Sequence, residues 1–158
     1  MNDELLMTVR ASGPRRYFGI ATLMTLGVIL IYLAVFRPPS ELGLQVFLIA
    51  LGLVVLWLGE KLRRATRLAL ELTRNELRCS NGEVLARVED MQALDRGVFA
   101  YKPSNGFLLR LSDKGPRRWE PGMWWRTGRR LGVGGVAAAP QTKAMAEMIS
   151  AMIAEREA

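Results

Sequence analysis

Residues 17–36 read YFGIATLMTLGVILIYLAVF, twenty residues without a charge. A helix rises 1.5 Å per residue, so this segment spans about 30 Å, the thickness of the hydrocarbon core of a bilayer. A second apolar run follows at 42–59, with Gln45 as its one polar residue and Trp57 near its end. The five residues between the runs (37–41, RPPSE) include two prolines, which cannot continue a helix. The sequence therefore predicts a hairpin of two membrane-spanning helices.

Basic residues flank this hairpin on one side. Seven of them precede the first run or follow the second, whereas the loop holds Arg37 offset by Glu41. Because Lys and Arg accumulate at the cytoplasmic ends of spans, we expect a multi-pass protein with both termini in the cytoplasm. Residues 1–16 form its N-terminal segment and residues 60–65 a basic linker. The seven flanking residues are Arg10, Arg15, Arg16, Lys61, Arg63, Arg64 and Arg67.

Three other interpretations of the apolar runs fit less well. A cleaved signal peptide needs a shorter apolar region and a small-residue cleavage site, whereas Arg37 and two prolines follow the first run. The pair Arg15-Arg16 resembles a twin-arginine export signal, but the positive-inside rule also requires basic residues there. The core helices of a soluble protein do not need uncharged runs this long with arginines on their flanks.

The composition excludes most familiar enzyme chemistries. Among 158 residues there is no histidine and one cysteine, Cys79. The chain therefore has no internal disulfide, no histidine-based triad and no conventional His/Cys metal cage. We expect no enzymatic activity, no catalytic residues, no metal and no cofactor.

Two local patterns imitate catalytic or nucleotide sites. Residues 132–137 (GVGGVA) contain G-x-G-x-x-A, but arginines precede them and Pro140 interrupts the helix that a dinucleotide site requires. These glycines fit a connector into the last helix. The carboxylates of Glu89, Asp90 and Asp95 fit a solvated edge or turn better than an acid/base pair, because adjacent strand residues point to opposite faces.

From Thr66 onward the pattern alternates between apolar and polar residues, which is typical of a half-buried strand over 66–73. The alternation resumes with Leu77 and Cys79 and runs up to residues 81–82 (NG), the strongest two-residue hairpin signal. A two-residue turn there pairs Cys79 with Val84 and Leu77 with Ala86. Cys79 is then a small core residue rather than a reactive thiol.

Further strands are predicted at 96–101, 106–112, 117–120 and 124–133, separated by turn-forming segments. The chain closes with an amphipathic helix after Pro140, whose apolar stripe we expect to pack on the sheet. The stripe consists of Met145, Met148, Ile149, Met152 and Ile153.

This order of elements resembles a bacterial pleckstrin-homology-like (PH-like) domain, carried by TRLALELTRNELRCSNGEVLARVEDMQAL (66–94), FAYKPSNGFLLRL (99–111) and the Met-rich helix. The whole chain is similar to small bacterial membrane proteins that carry such a domain after two spans. The resemblance implies an α+β membrane protein of the bacterial inner (cytoplasmic) membrane. Its cytoplasmic domain, 66–158, would be a seven-stranded, bent antiparallel sheet or barrel capped by the C-terminal helix.

Lipid-binding PH domains carry several basic residues in the loop between their first two strands. We assign that loop to Thr73-Arg74-Asn75, which holds one arginine. The resemblance therefore gives no support to specific phosphoinositide binding.

The most unusual segment is RRWEPGMWWRTGRRLGVGG, residues 117–135. Interleaved arginine and tryptophan suit the surface of an anionic membrane, where each basic residue contributes about 1 kcal/mol and indoles lie at headgroup depth. The alternative is that Trp119 and one of the pair Trp124 and Trp125 are core residues, and that the arginines are a solvated face. The candidate lipid- or partner-binding residues are Arg117, Arg118, Trp119, Trp124, Trp125, Arg126, Arg129 and Arg130.

Two function classes remain open. The first is a non-enzymatic, membrane-anchored module that docks a protein partner or anionic lipid headgroups through its PH-like domain. The second is a structural accessory or assembly subunit of a larger respiratory, photosynthetic or transport complex. Nucleic acid is not an expected partner, because residues 66–158 hold 15 basic and 11 acidic residues, a mild net charge.

Overall fold

The computed structural model describes residues 4–95 and 103–158. The chain divides into two compact units: one is Gly13–Arg64, and the other combines the segment before Gly13 with everything from Ala65 onward. The second unit is therefore discontinuous in sequence.

The first unit is a pair of helices, α1 (Gly13–Phe36) and α2 (Leu42–Ala65). Both are long and apolar enough to cross a membrane, and only 11% and 17% of their most apolar windows are buried within the protein. The core helices of a soluble protein would be mostly buried. The two apolar helices and the loop at 37–41 agree with the sequence prediction, but α2 continues through 60–65, where we expected a linker.

Small residues let the two helices approach closely. A Cβ atom added to Gly27 would lie 2.6 Å from Leu56 Cγ, and one added to Gly52 would lie 2.7 Å from Ile31 Cγ1. Near the loop, Gln45 Nε2 donates a hydrogen bond of 2.9 Å to the carbonyl of Ala34. The one polar side chain of the second apolar run is thus satisfied inside the hairpin.

The second unit begins with a strand that the sequence analysis did not predict, β1 (Leu5–Val9). The next strands are β2 (Leu70–Thr73), β3 (Glu76–Cys79) and β4 (Val84–Arg87). Together with β1 they form an antiparallel sheet in the order β1-β2-β3-β4, with β1 at one edge. The segment 73–75 is therefore the turn between the second and third strands. The connection between the first and second strands is the whole helical hairpin, which corrects our assignment of that loop.

A short 3-10 helix, Val88–Asp90, leads to a second antiparallel sheet, β5-β6-β7. Its strands are β5 (Met91–Asp95), β6 (Phe107–Glu120) and β7 (Trp124–Val133). The predicted bounds of β7 are confirmed. The predicted strands at 106–112 and 117–120 are one continuous strand, because pairing with β7 overrides the turn signal at 113–116. The predicted strand 96–101 falls outside the described residues.

The hairpin at 81–82 differs from the prediction by one residue. Leu77 does pair with Ala86, but Val84 pairs with Arg78 rather than Cys79. The amide of Gly82 donates to the carbonyl of Cys79, and Gly82 has φ +87°. The loop has three residues, and the register shifts between Leu77 and Arg78, where Leu85 is the extra residue of β4; Leu85 is buried and Val84 is exposed.

Helix α3 (Ala139–Glu157) closes the second unit. Met145, Ile149 and Ile153 are buried against the sheets, and Met148 and Met152 pack partly against the same core. At its start, Thr142 Oγ1 donates to the carbonyl of Asn105 at 2.7 Å. The predicted packing of the methionine stripe is confirmed.

Candidate functional site

The arginine and tryptophan segment contains the end of β6, the turn and all of β7, and the β6–β7 hairpin is bent back on itself. Trp125 packs over Gly132 so closely that a Cβ atom there would lie 2.4 Å from indole atoms. In a straight strand these residues would be about 23 Å apart, at 3.3 Å per residue. The amide of Gly134 also donates to the carbonyl of Met123 at 2.8 Å. The two ends of β7 therefore lie side by side.

Two glycines make the bend possible. Gly115 and Gly128 are cross-strand partners, and the register shifts on both sides of them. Gly128 has φ +58°, which favours glycine. A Cβ atom at Gly115 would lie 2.1 Å from the guanidinium of Arg126, so the missing side chain leaves room for that group. The glycine pair thus sets both the curvature and the position of Arg126.

Two of the five arginines in this segment are bound within the domain. Arg118 and Arg126 are cross-strand partners and both reach toward the β3–β4 hairpin. Arg118 Nη1 forms an ion pair with Glu83, and Arg126 Nη1 donates to the carbonyl of Leu85 at 2.6 Å. Both residues therefore hold the bent hairpin against the first sheet, which makes them poor candidates for binding a ligand.

The other three arginines are exposed to solvent. Within residues 4–95 and 103–158, Arg117, Arg129 and Arg130 form no ion pair. The structure adds a fourth arginine of the same kind, Arg110, which lies directly opposite Arg130 in the β6–β7 pairing. No sequence signal connects Arg110 with Arg130, because only the long-range register brings them together. We call Arg110, Arg117, Arg129 and Arg130 the exposed arginine group.

The three tryptophans have different environments. Trp124 is 3% exposed and belongs to the core, whereas Trp119 is 48% exposed. Trp125, the cross-strand partner of Trp119, is half-buried over Gly132. Trp119 and Trp125 line a shallow cavity of about 360 Å³ together with Gly134 and Gly135. The core alternative thus holds for Trp124 but not for Trp119, which is placed to meet an external surface.

The glycines at 134 and 135 have φ values of +148° and +103° and form the connector expected from the sequence. The amide of Gly135 donates to the carbonyl of Ser104, and Ala137 bridges to Ala11 before α3 begins. These backbone groups bind other parts of the domain. They do not form the strand-to-helix turn of a dinucleotide site.

The basic residues that flank the apolar helices fall in four places. Arg15 and Arg16 lie in the first turn of α1, and Lys61, Arg63 and Arg64 in the last turns of α2. Arg10 follows β1, where its amide donates to Gln141 Oε1, and Arg67 is exposed after α2. Glu60 accepts hydrogen bonds of 2.7 Å from both Arg63 and Arg64.

Cys79 is 1% exposed and belongs to the core. Burial, together with the negative charge of Glu83, raises the pKa of its thiol to about 12. The thiolate is the reactive form of cysteine, so a thiol with this pKa is inert near neutral pH. Among the described residues, no group of three acidic or cysteine side chains could hold a metal ion.

A wide groove elsewhere in the same unit is lined by residues of α3 and by the β2–β3 turn with the start of β3. It has a volume of about 1090 Å³, and its apolar lining residues include Leu6, Val88, Met148 and Met152. Arginine and glutamate side chains also line it. Arg156 is not available to a ligand there, because its guanidinium donates to the carbonyls of Val88, Glu89 and Met91.

Comparison with known proteins adds no relative: no protein-family model, curated protein or solved structure matches this chain.

Proposed function

We propose that this protein is a non-enzymatic, membrane-anchored binding module whose second unit docks on anionic lipid headgroups. The observation that carries the proposal is the exposed arginine group together with Trp119 on one bent hairpin. Guanidinium groups without an ion-pair partner are attracted to an anionic surface. An exposed indole is most stable at the level of the lipid headgroups. The seven strands that the described residues form, together with the C-terminal helix, support a PH-like domain, a type of fold that serves mostly as a docking surface.

The covalent connections support the same proposal. Three residues separate β1 from α1, and four separate α2 from β2. If the two apolar helices cross a membrane, the β-sheet unit is tethered to the bilayer twice by short segments. Each basic residue near an anionic surface contributes about 1 kcal/mol, and the attraction decays within about 8 Å at physiological salt.

The proposed orientation places both termini in the cytoplasm of a bacterial inner membrane. It is supported by the flanking basic residues and by the single arginine of the loop. Glu60 partly neutralises Arg63 and Arg64, but acidic residues contribute little to topology.

A reconstitution experiment tests the docking proposal. The full chain is placed in vesicles of neutral lipid, with or without anionic lipid, and quenching of Trp119 by lipids spin-labelled near the headgroup is measured against the Trp119→Phe variant. We expect Trp119 to be quenched in anionic vesicles only, and quenching to fade as salt is raised. Equal quenching in neutral and anionic vesicles, or none in either, would contradict docking on anionic lipid.

A matched pair of triple variants tests the residues. Arg117→Gln/Arg129→Gln/Arg130→Gln should abolish the lipid-dependent quenching. Replacing Arg74, Arg87 and Lys143 with glutamine removes the same charge elsewhere on the domain. This control variant should retain the lipid-dependent quenching of Trp119. Arg74 and Arg87 are already paired with Glu4 and Glu89.

The second candidate is an accessory subunit of a larger membrane complex, and the groove beside α3 favours it. Its lining combines apolar side chains with charges of both signs, which suits a protein segment better than a lipid headgroup. Purification in mild detergent with mass spectrometry separates the two candidates. Stoichiometric co-purification of other membrane subunits would favour the subunit role.

A further inference from the structure

We propose that Arg110 and Arg130 form a two-arginine site for a phosphate group, beside the indole of Trp125. This inference rests on the proposed docking function, which it refines by naming the chemical group that is bound and the two residues that bind it. The pair combines Arg130 of the tryptophan-rich segment with an arginine twenty residues earlier in the chain.

The register places the two guanidinium groups together. Pairing is regular from Phe107–Val133 to Arg110–Arg130, without a bulge between them. Residues directly opposite each other point to the same face, with Cβ atoms about 5 Å apart. Two arginine side chains from this separation can converge on one phosphate, and each can donate two parallel hydrogen bonds to its oxygens.

The register also defines the neighbours of the pair. On β5, Ala93 lies opposite Arg110, and Asp95 lies opposite Leu108 on the same face; on β7 the next residue on that face is Gly132. Asp90 accepts a hydrogen bond of 3.0 Å from the hydroxyl of Ser112. Like charges directly opposite each other destabilise a sheet, and a bound dianion or monoanion removes that repulsion.

The indole of Trp125 forms a wall of the site. It lies over Gly132, which is two residues from Arg130 on the same face, a separation of about 6.6 Å along the strand. The contact with Gly132 holds the ring in place, so the apolar part of an organic phosphate can pack on it. A lipid headgroup and a free phosphate ion both offer phosphate oxygens to the two arginines. Only the lipid also has an apolar part that can pack on the indole.

The test uses the full chain in an uncharged detergent, titrated with dioctanoyl phosphatidylglycerol and, separately, with inorganic phosphate. We expect Arg110→Gln/Arg130→Gln to weaken binding of the lipid at least about tenfold, the loss of charge-assisted hydrogen bonds. Arg117→Gln/Arg129→Gln removes the same charge from the same hairpin and should weaken binding about threefold or less. Equal losses in the two double variants would overturn the site.

Two further readouts keep the result interpretable. Without ligand, Arg110→Gln/Arg130→Gln should melt at the same temperature as the wild type or higher, because a repulsion is removed. A lower melting temperature would contradict the repulsion on which the site rests. Arg110→Lys/Arg130→Lys keeps the charge but loses the paired hydrogen bonds, and it should bind more weakly than the wild type; unchanged affinity would contradict paired recognition.

The titrations also separate this inference from the docking proposal. If the wild type binds inorganic phosphate through Arg110 and Arg130 but shows no lipid-dependent quenching of Trp119 in vesicles, the site stands and the docking proposal fails. If quenching occurs and both double variants bind dioctanoyl phosphatidylglycerol equally, docking stands and the site fails. Tighter binding of the lipid than of inorganic phosphate identifies the headgroup as the source.

Discussion

Cys79 illustrates how a single side chain is defined by its surroundings. It faces the core from β3, and burial raises the pKa of its thiol to about 12. In the unfolded chain this thiol would titrate near its ordinary pKa of about 8.5. The native state therefore holds the proton more tightly, and this group lowers the stability of the protein as the pH rises above about 9.

The inert thiol gives a clean test of the proposed topology. A Ser40→Cys variant places a second cysteine in the exposed loop between α1 and α2. In intact cells this cysteine should react with a membrane-impermeant maleimide, whereas Cys79 should react only after denaturation. Protection of position 40 in intact cells, with labelling after the membrane is opened, would reverse the orientation.

The arginines of the β6–β7 hairpin show how two residues of one type acquire different roles. Arg126 donates to the carbonyl of Leu85 in β4, whereas Arg129 is exposed three residues away. The role of each depends on the bend at Gly115 and Gly128. The element as a whole therefore decides which arginines stabilise the domain and which are available to a ligand.

This division predicts different effects of two similar substitutions. Arg126→Gln removes the donor to the buried carbonyl of Leu85 and should lower the free energy of unfolding by about 1 to 3 kcal/mol. Arg129→Gln should change it by less than about 0.5 kcal/mol, as for most surface substitutions. Thermal denaturation of the full chain in detergent measures both. Equal effects would mean that Arg126 does not hold the hairpin.

Elements with a strong local pattern could be predicted from the sequence. The two apolar helices follow from uncharged runs, and the packing of α3 follows from its apolar stripe. Strand β1 could not be predicted, because its five residues have no alternating pattern and their partner, β2, lies about sixty residues later. The continuity of β6 was hidden by the Gly115-Pro116 turn signal, which pairing with β7 overrides.

The segment that carries the candidate site could be predicted from the sequence, but the spatial arrangement of its side chains could not. The composition singles out residues 117–135. Which of its arginines are bound within the domain depends, however, on partners that are distant in sequence. Glu83 binds Arg118 from 35 residues away and Leu85 binds Arg126 from 41. Arg110 was missed for the same reason, since only the register relates it to Arg130.

At the scale of the molecule, the helical hairpin is an insertion between the first two strands of a β-sheet unit. Val9, at the end of β1, is fully buried and pairs with Leu70 of β2 across this insertion. The sheet can therefore form only if the chain on both sides of the helices comes together. Strand β1 is therefore part of the same folded unit as β2.

This arrangement predicts how the domain can be expressed alone. A chain that joins residues 1–12 to 65–158 through a short Gly-Ser linker should fold cooperatively, because Ser12 and Ala65 each lie within five residues of the Val9–Leu70 pair. The fragment 66–158 lacks β1 and should be less stable by about 3 kcal/mol, the contribution of burying Val9 and part of its strand. Circular dichroism melting curves compare the two chains. Equal stability would mean that β1 does not belong to the sheet.

Contact between lipid and the exposed side of the β6–β7 hairpin, which we propose, can be captured directly. The most direct measurement replaces Trp119 with a photo-crosslinking benzoyl-phenylalanine in the full chain, in its native membrane, and identifies the adducts by mass spectrometry after illumination. We predict adducts whose added mass is that of an anionic phospholipid, and their loss when Arg117, Arg129 and Arg130 are replaced with glutamine. Adducts to a protein, with no lipid adduct, would contradict the claim.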